Sequence, residues 1–212
     1  QQQIVANTPV TAFGITCIYP QIPGIPPYHN NAVWPFVQSF WLWAAAKAGN
    51  ESAVMESISA IYRPAALFLT NKENFVASTG DFSGTQINSS NMLWSLAGNI
   101  SIVHKVLFGI HFQENGLLFH PFVPRAYGGH RSLTGFKYRN AVLNISLEGY
   151  GNSIRNFYVD GKPVVQHTIP AALKGVHEIK IVRGDTCDNS GAINKVAVTA
   201  APAAPEPRNS NG

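Results

Sequence analysis

With 212 residues, 45% hydrophobic and 11% aromatic, the chain can fill one large or two modest cores, which excludes a disordered protein. Charged residues make up only 12%, well under the roughly 25% of an ordinary soluble domain, so its polar surface rests on Asn, Ser, Thr, Gln and backbone and suits neutral ligands such as sugars. The net charge of +4 comes from scattered Lys and Arg without a basic run, which leaves a nucleic-acid partner unsupported.

Residues 1–27 form an extended lead-in segment. Pro9, Pro20, Pro23, Pro26 and Pro27 with Gly14 and Gly24 deny residues 4–27 a long helix. The start, Gln1-Gln2-Gln3, shows no targeting segment of its own, the pattern of an exported precursor whose front end is removed, so a periplasmic or extracellular location is expected. Cys17 and Cys187 share no ligand or redox spacing; they are expected as two buried thiols, with one interdomain disulfide as the alternative.

A first helix is predicted from Ala32 to Ala48. Val33, Trp34, Phe36, Val37, Phe40, Trp41 and Trp43 lie on all its sides, which predicts burial all round. No membrane span is expected, because this longest apolar run is broken by Pro35, Gln38, Ser39 and Lys47 before it reaches about 18 residues. A second helix starts near Glu51 and is amphipathic through Val54, Ile58, Ile61 and Tyr62, with Pro64 expected to kink or interrupt it. Residues 71–90 are a polar loop too long for a mere connector, and loops of that kind are often functional. A third helix is predicted from about Asn91 to Gly109. Three such helices cannot surround each other's apolar faces, so either the chain oligomerises or further protein belongs on them.

Beyond Gly116 the period changes to two. Leu117–Val123, Leu133–Arg139, Ala141–Glu148, Ile154–Asp160, Val164–Thr168, Val176–Val182 and Asn194–Thr199 read as short strands separated by turns such as Asp160-Gly161-Lys162, which predicts an antiparallel β-sandwich over 115–199. The Pro/Ala-rich tail, 200–212, reads as a linker or disordered end. The fold expected is therefore α+β, in two parts.

Three blocks carry a resemblance: Tyr28-His29-Asn30-Asn31-Ala32-Val33-Trp34; Glu73-Asn74-Phe75 followed by Gly80; and Gly84-Thr85-Gln86 through Asn91 to Trp94-Ser95. In order and spacing they resemble the last conserved blocks of the inverting α-glucosidases that include mannosyl-oligosaccharide glucosidase, within the six-hairpin glycosidases. The resemblance covers about residues 28–112 and implies that 28–114 are the last hairpins of an (α/α)6 toroid, with the β-sandwich alongside. It implies that Glu73 is the general base and that the general acid, an Asp from an earlier hairpin, lies on an absent N-terminal portion. Two departures stand out: the family's Trp-Arg-Gly is His29-Asn30-Asn31 here, and Asp81 to Gly84 looks like an insertion.

An inverting glycosidase needs one carboxylate to activate water, about 6.5–9.5 Å from the acid. Glu73 suits that task; its alternative is a surface Glu paired with Lys72, and Asp81 is its rival in the same loop. Tyr28, His29 and Trp34 offer rings and an imidazole to a sugar, though Trp34 reads equally as core. Asn30 and Gln86 offer amides to hydroxyls, with helix capping the alternative for Asn30. The remaining histidines are dispersed, so no metal or other cofactor is expected. The expected partners are a carbohydrate substrate and the N-terminal portion of the same enzyme; the competing reading is a non-catalytic carbohydrate-binding or scaffolding module.

Overall fold

The computed structural model describes residues 1–187 and 191–202; Asp188 and the tail beyond Pro202 lie outside the described residues. The fold is α+β. The helices are α1 (Gln2–Asn7), α2 (Pro35–Lys47), α3 (Glu51–Phe68) and α4 (Leu93–Ser101).

Pro35 starts α2 at a position where its missing N–H costs nothing, and Gly49, with φ +75°, turns the chain out of it. Asn50 then caps α3, its side chain accepting from the Ala53 N–H at 3.0 Å. The predicted interruption at Pro64 does not occur. Ala53, Val54, Ser57, Ile58, Ala60, Ile61 and Pro64 form one buried stripe, and packing of that stripe offsets the lost backbone bond so that α3 runs on to Phe68.

The third predicted helix is shorter than expected and changes type. After Ser101 it widens into a π-helical segment, Ile102–Leu107. This segment joins two cores: Ile102 and Val106 are buried with α2 and α3, while Val103 packs against the β-rich half.

Burial of the first helix on all sides is also corrected. Leu42 and Ala45 are fully buried, but Phe40 is 50% exposed and Phe36 is exposed beside it. On α4, Leu93 and Trp94 are 79% and 41% exposed. The reason is geometric: α3 covers one side of α2 and α4 a second, and no described element covers the strip between Phe36 and Phe40. No described helix is long and apolar enough to cross a membrane.

The lead-in segment is more structured than predicted. Besides α1 it carries the hairpin of β1 (Pro9–Thr11) and β2 (Gly14–Ile15). Farther on, β3 (Ala32–Val33) pairs antiparallel with β4 (Phe75–Val76).

The strands that follow are β5 (Ile110–Gln113), β6 (Gly116–Phe119), β7 (Arg131–Tyr138), β8 (Asn140–Glu148), β9 (Ile154–Val159), β10 (Lys162–Pro163), β11 (Thr168–Pro170), β12 (Lys174–Arg183) and β13 (Asn194–Lys195). They form a five-stranded sheet, β10-β9-β12-β8-β7, and a three-stranded sheet, β11-β6-β5. Leu117, Phe119 and Ile169 from the smaller sheet and Leu143, Ile145, Phe157, Ile179 and Ile181 from the larger share one core.

Three details differ from the sequence expectation. β12 inserts between β8 and β9 and runs parallel to β8 from Lys174↔Asn140 to Val182↔Glu148, so the larger sheet is mixed. β13 belongs to neither sheet; it pairs parallel with β1. Of the run Val164–Thr168, only Thr168 is strand. Both cysteines are free, Cys17 exposed and Cys187 half-buried, so neither the disulfide nor the pair of buried thiols forms.

Candidate functional site

The β3–β4 pair is what assembles the site. Its register, Ala32↔Val76 and Val33↔Phe75, sets the block ending at Trp34 beside the block starting at Glu73. Val33, Phe75 and Ala77 make a small core under this ladder, with Phe68 and Val198 against it. The loop between β4 and α4 is tied back to the segment that precedes β4. Glu73 N–H donates to the Ser89 carbonyl at 3.0 Å, Met92 N–H to Asn71 at 2.9 Å, and the Thr70 hydroxyl to the Asn91 side chain at 3.0 Å. A second tie runs through Asn88, whose amide donates to the Asn74 carbonyl at 2.7 Å and to Thr85 at 3.0 Å.

Glu73 is 5% exposed, and among the described residues no Lys, Arg or His pairs with it. Lys72 turns away, its ammonium 3.8 Å above the Phe82 ring, which in turn meets Phe68 edge-on. The reading of Glu73 as a solvated partner of Lys72 therefore does not hold. Its carboxylate accepts from the Tyr28 hydroxyl at 3.4 Å. Burial first, and then the nearby Glu73 charge and hydrogen bond, push the Tyr28 phenol above its ordinary range.

Rings enclose this pair on one side. Trp34, buried, donates its indole N–H to the Tyr28 carbonyl at 2.7 Å and meets the Tyr28 ring at 5.0 Å. His29 stacks on Trp34 at 5.1 Å with planes 7° apart and stays exposed on its outer face. From Trp34 the aromatic contacts continue to Trp94 at 6.1 Å, Phe36 at 6.0 Å, Phe40 at 5.0 Å and Trp43 at 4.8 Å. The half-exposed members make a ledge of ring faces and edges leading away from Glu73. Sequence reading named its Glu73 end only; the signal for the rest is the i, i+4, i+7 spacing of Phe36, Phe40 and Trp43 on one side of α2.

The other expected residues are placed as follows. Gln86 is exposed, and its backbone N–H donates to the Pro27 carbonyl at 2.7 Å, which sets it next to Tyr28. Asn30 is buried; its amide accepts from Ile22 N–H at 2.8 Å and donates to Ile25 at 2.9 Å, so it ties down the lead-in segment rather than facing the ring cluster. Asp81 is exposed and accepts from its neighbour Ser83 N–H at 2.8 Å, the bond of a turn-forming Asp. No three His, Cys, Asp or Glu gather as a metal-ligand set among the described residues.

The arrangement sets a buried carboxyl side chain against one phenol hydroxyl, next to a run of partly exposed aromatic rings. Compared with known proteins, the chain matches no family model and no curated sequence.

Proposed function

We propose that this chain is the carboxyl-terminal portion of an inverting glycoside hydrolase acting on a neutral oligo- or polysaccharide. Glu73 is the general base that activates water, and the general acid comes from an N-terminal portion of the same enzyme. In this reading α2, α3 and α4 belong to the last hairpins of an (α/α)6 toroid, and the two sheets with a common core are the β-sandwich beside it.

The observation that supports the proposal is the contact of Tyr28, itself packed on Trp34, with a buried Glu73 that pairs with no cation among the described residues, made by two blocks far apart in sequence. Burying a polar side chain with a single hydroxyl as its side-chain partner is costly for packing alone, which favours a role in the chemistry. The exposed strip of Phe36, Phe40, Leu93 and Trp94 adds support. At about 25 cal/mol per Å² of apolar surface, leaving it wet forfeits several kcal/mol that further helices would recover.

The test is Glu73→Gln in the complete enzyme. Loss of a general base lowers turnover about 10²–10⁴-fold while substrate binding persists. The isolated chain, lacking the acid, does not hydrolyse aryl glycosides at enzyme-like rates; hydrolysis at such rates refutes the missing-acid mechanism. A non-catalytic carbohydrate-binding module is favoured by one observation, the open ledge from Trp94 to Trp43, and unchanged turnover in Glu73→Gln selects it.

A further inference from the structure

A cavity of about 620 Å³ opens where the end of α2, the π-helical segment and the β5–β6 hairpin meet, away from Glu73. Its volume is that of an ordinary small-molecule site, roughly 300–1,000 Å³. The floor is apolar: Val106 and Phe122 are each 1% exposed, and Trp43 forms one wall. The rim is basic. Lys47 is the last residue of α2, Lys105 lies on the π-helical segment, His111 on β5, and His120 directly after β6. Lys47, Lys105, His111 and His120 thus bring four nitrogen bases from separate stretches to one opening, which Gln1 with its terminal amine and Gln113 also line, and among the described residues no Asp or Glu lines it.

Neither lysine is neutralised within the fold: among the described residues the ion pairs are His177–Asp160, Lys180–Glu148 and Lys195–Glu56. Lys105 is held at the mouth by Trp43, its ammonium 4.9 Å from the ring centre. A cation over a ring keeps its charge uncompensated and N–H donors available for an acceptor, whereas pairing with a carboxylate neutralises the charge.

We infer that this cavity binds a small organic anion, an apolar ring or short chain seated on Val106, Phe122 and Trp43 with a carboxylate or phosphate head held by Lys47, Lys105, His111 and His120. Apolar floor and basic rim are both needed, since floor alone selects any greasy ligand and rim alone any anion. Burial, and then His120, Lys105 and Lys47, hold the His111 imidazole below its ordinary range. An anion relieves the repulsion among those groups and favours the imidazolium, so benzoate, which stays ionised, binds more tightly at about pH 5 than at about pH 8, whereas a phosphate monoester gives up a charge at about pH 6 and shows a weaker trend. The inference does not rest on the glycosidase proposal, and the site named there takes no part in its test.

The experiment titrates the 212-residue chain with phenyl phosphate, benzoate, inorganic phosphate and phenol, following the imidazole NMR signals of His111 and His120 with His177 as reference. Phenyl phosphate or benzoate moves both signals saturably and binds at least about tenfold more tightly than phenol or inorganic phosphate, as expected when charge-assisted bonds add to apolar burial. The relative affinity of phenyl phosphate and benzoate identifies the head group. In Lys47→Gln/Lys105→Gln, whose thermal midpoint is checked against the parent, the preference for the anion is lost; in Lys162→Gln, on β10, it stays. Equal affinity for phenol and phenyl phosphate, no saturable shift, or an unchanged preference in the double variant overturns the inference.

Discussion

The Tyr28 hydroxyl donates to the Glu73 carboxylate at 3.4 Å across 45 residues of chain. Tyr28 precedes β3 and Glu73 precedes β4, and the antiparallel pairing of those strands holds the two stretches close. Burial and the neighbouring carboxylate both favour the neutral phenol, because ionising it would place a second negative charge beside Glu73.

Glu73→Gln is therefore expected to lower the Tyr28 ionisation midpoint toward, though not down to, the ordinary value, since desolvation remains. ¹³C NMR of labelled tyrosine through alkaline pH checks this. A midpoint unmoved by the substitution means that the two side chains do not share an environment in solution.

Gln38 is fully buried and joins three elements. Its side-chain oxygen accepts from Ile15 N–H at 2.9 Å, and its amide donates to the Ser57 hydroxyl at 3.0 Å. Gly14 packs so closely that an added Cβ would lie 2.6 Å from that oxygen, which leaves little room for a replacing water. Gln38→Leu keeps the volume but orphans both partners, and a loss of about 2–3 kcal/mol is expected. Urea unfolding should show a lower midpoint at unchanged slope.

Residue patterning made the elements legible more reliably than their neighbours. Asn50 after Gly49 marked a helix boundary, and Ala141, Leu143, Ile145 and Leu147 marked the buried face of β8. Alternation fixes which face is buried, however, and is silent on which strand lies alongside. That is why the parallel β8–β12 pairing and the union of β13 with β1 were not foreseen. At the candidate site, Tyr28, Trp34 and Glu73 were legible as chemistry-bearing residues in separate blocks. Asn30 was not, because its side-chain bonds to residues 22 and 25 depend on a loop path that local sequence does not encode. The basic rim of the cavity was illegible for a similar reason: Lys47, Lys105, His111 and His120 become neighbours only in three dimensions.

His177 and Asp160 give the large sheet a pH response. The imidazole Nδ1 lies 2.7 Å from Asp160, which also accepts from Glu178 N–H at 2.9 Å. The hydrogen bond to Asp160 raises the His177 pKa, and the bond to His177 lowers that of Asp160. A raised histidine stabilises the fold below its unfolded value, about 6.5, and loses that contribution as pH rises through the folded value. A lowered aspartate contributes above its unfolded value, about 3.9, and loses that as pH falls through the folded one. His177→Ala should therefore cost stability between about pH 4 and 6.5 and progressively less above. Melting midpoints of parent and variant across that range check the sign; a difference independent of pH rules out the ion pair as its source.

Arg183 continues the inward row of β12 after Ile179 and Ile181, but with a guanidinium in place of an aliphatic chain. It is fully buried; Nη2 donates to the Gly151 carbonyl, while Nε and Nη1 have no partner among the described residues. Burial lowers its pKa to about 10, so at neutral pH the group remains charged and carries its desolvation cost with no carboxylate opposite among the described residues. The Gly151 carbonyl also accepts from Val123 N–H at 3.0 Å and stays satisfied when the arginine is removed. Arg183→Met, similar in length and without polar donors, should thus leave no orphan and stabilise the protein by about 1–3 kcal/mol. Arg183→Lys, which concentrates the same charge on one ammonium, should destabilise it. Denaturant midpoints of the two variants must move in opposite directions; if Met also destabilises, the guanidinium has an interaction that outweighs its burial.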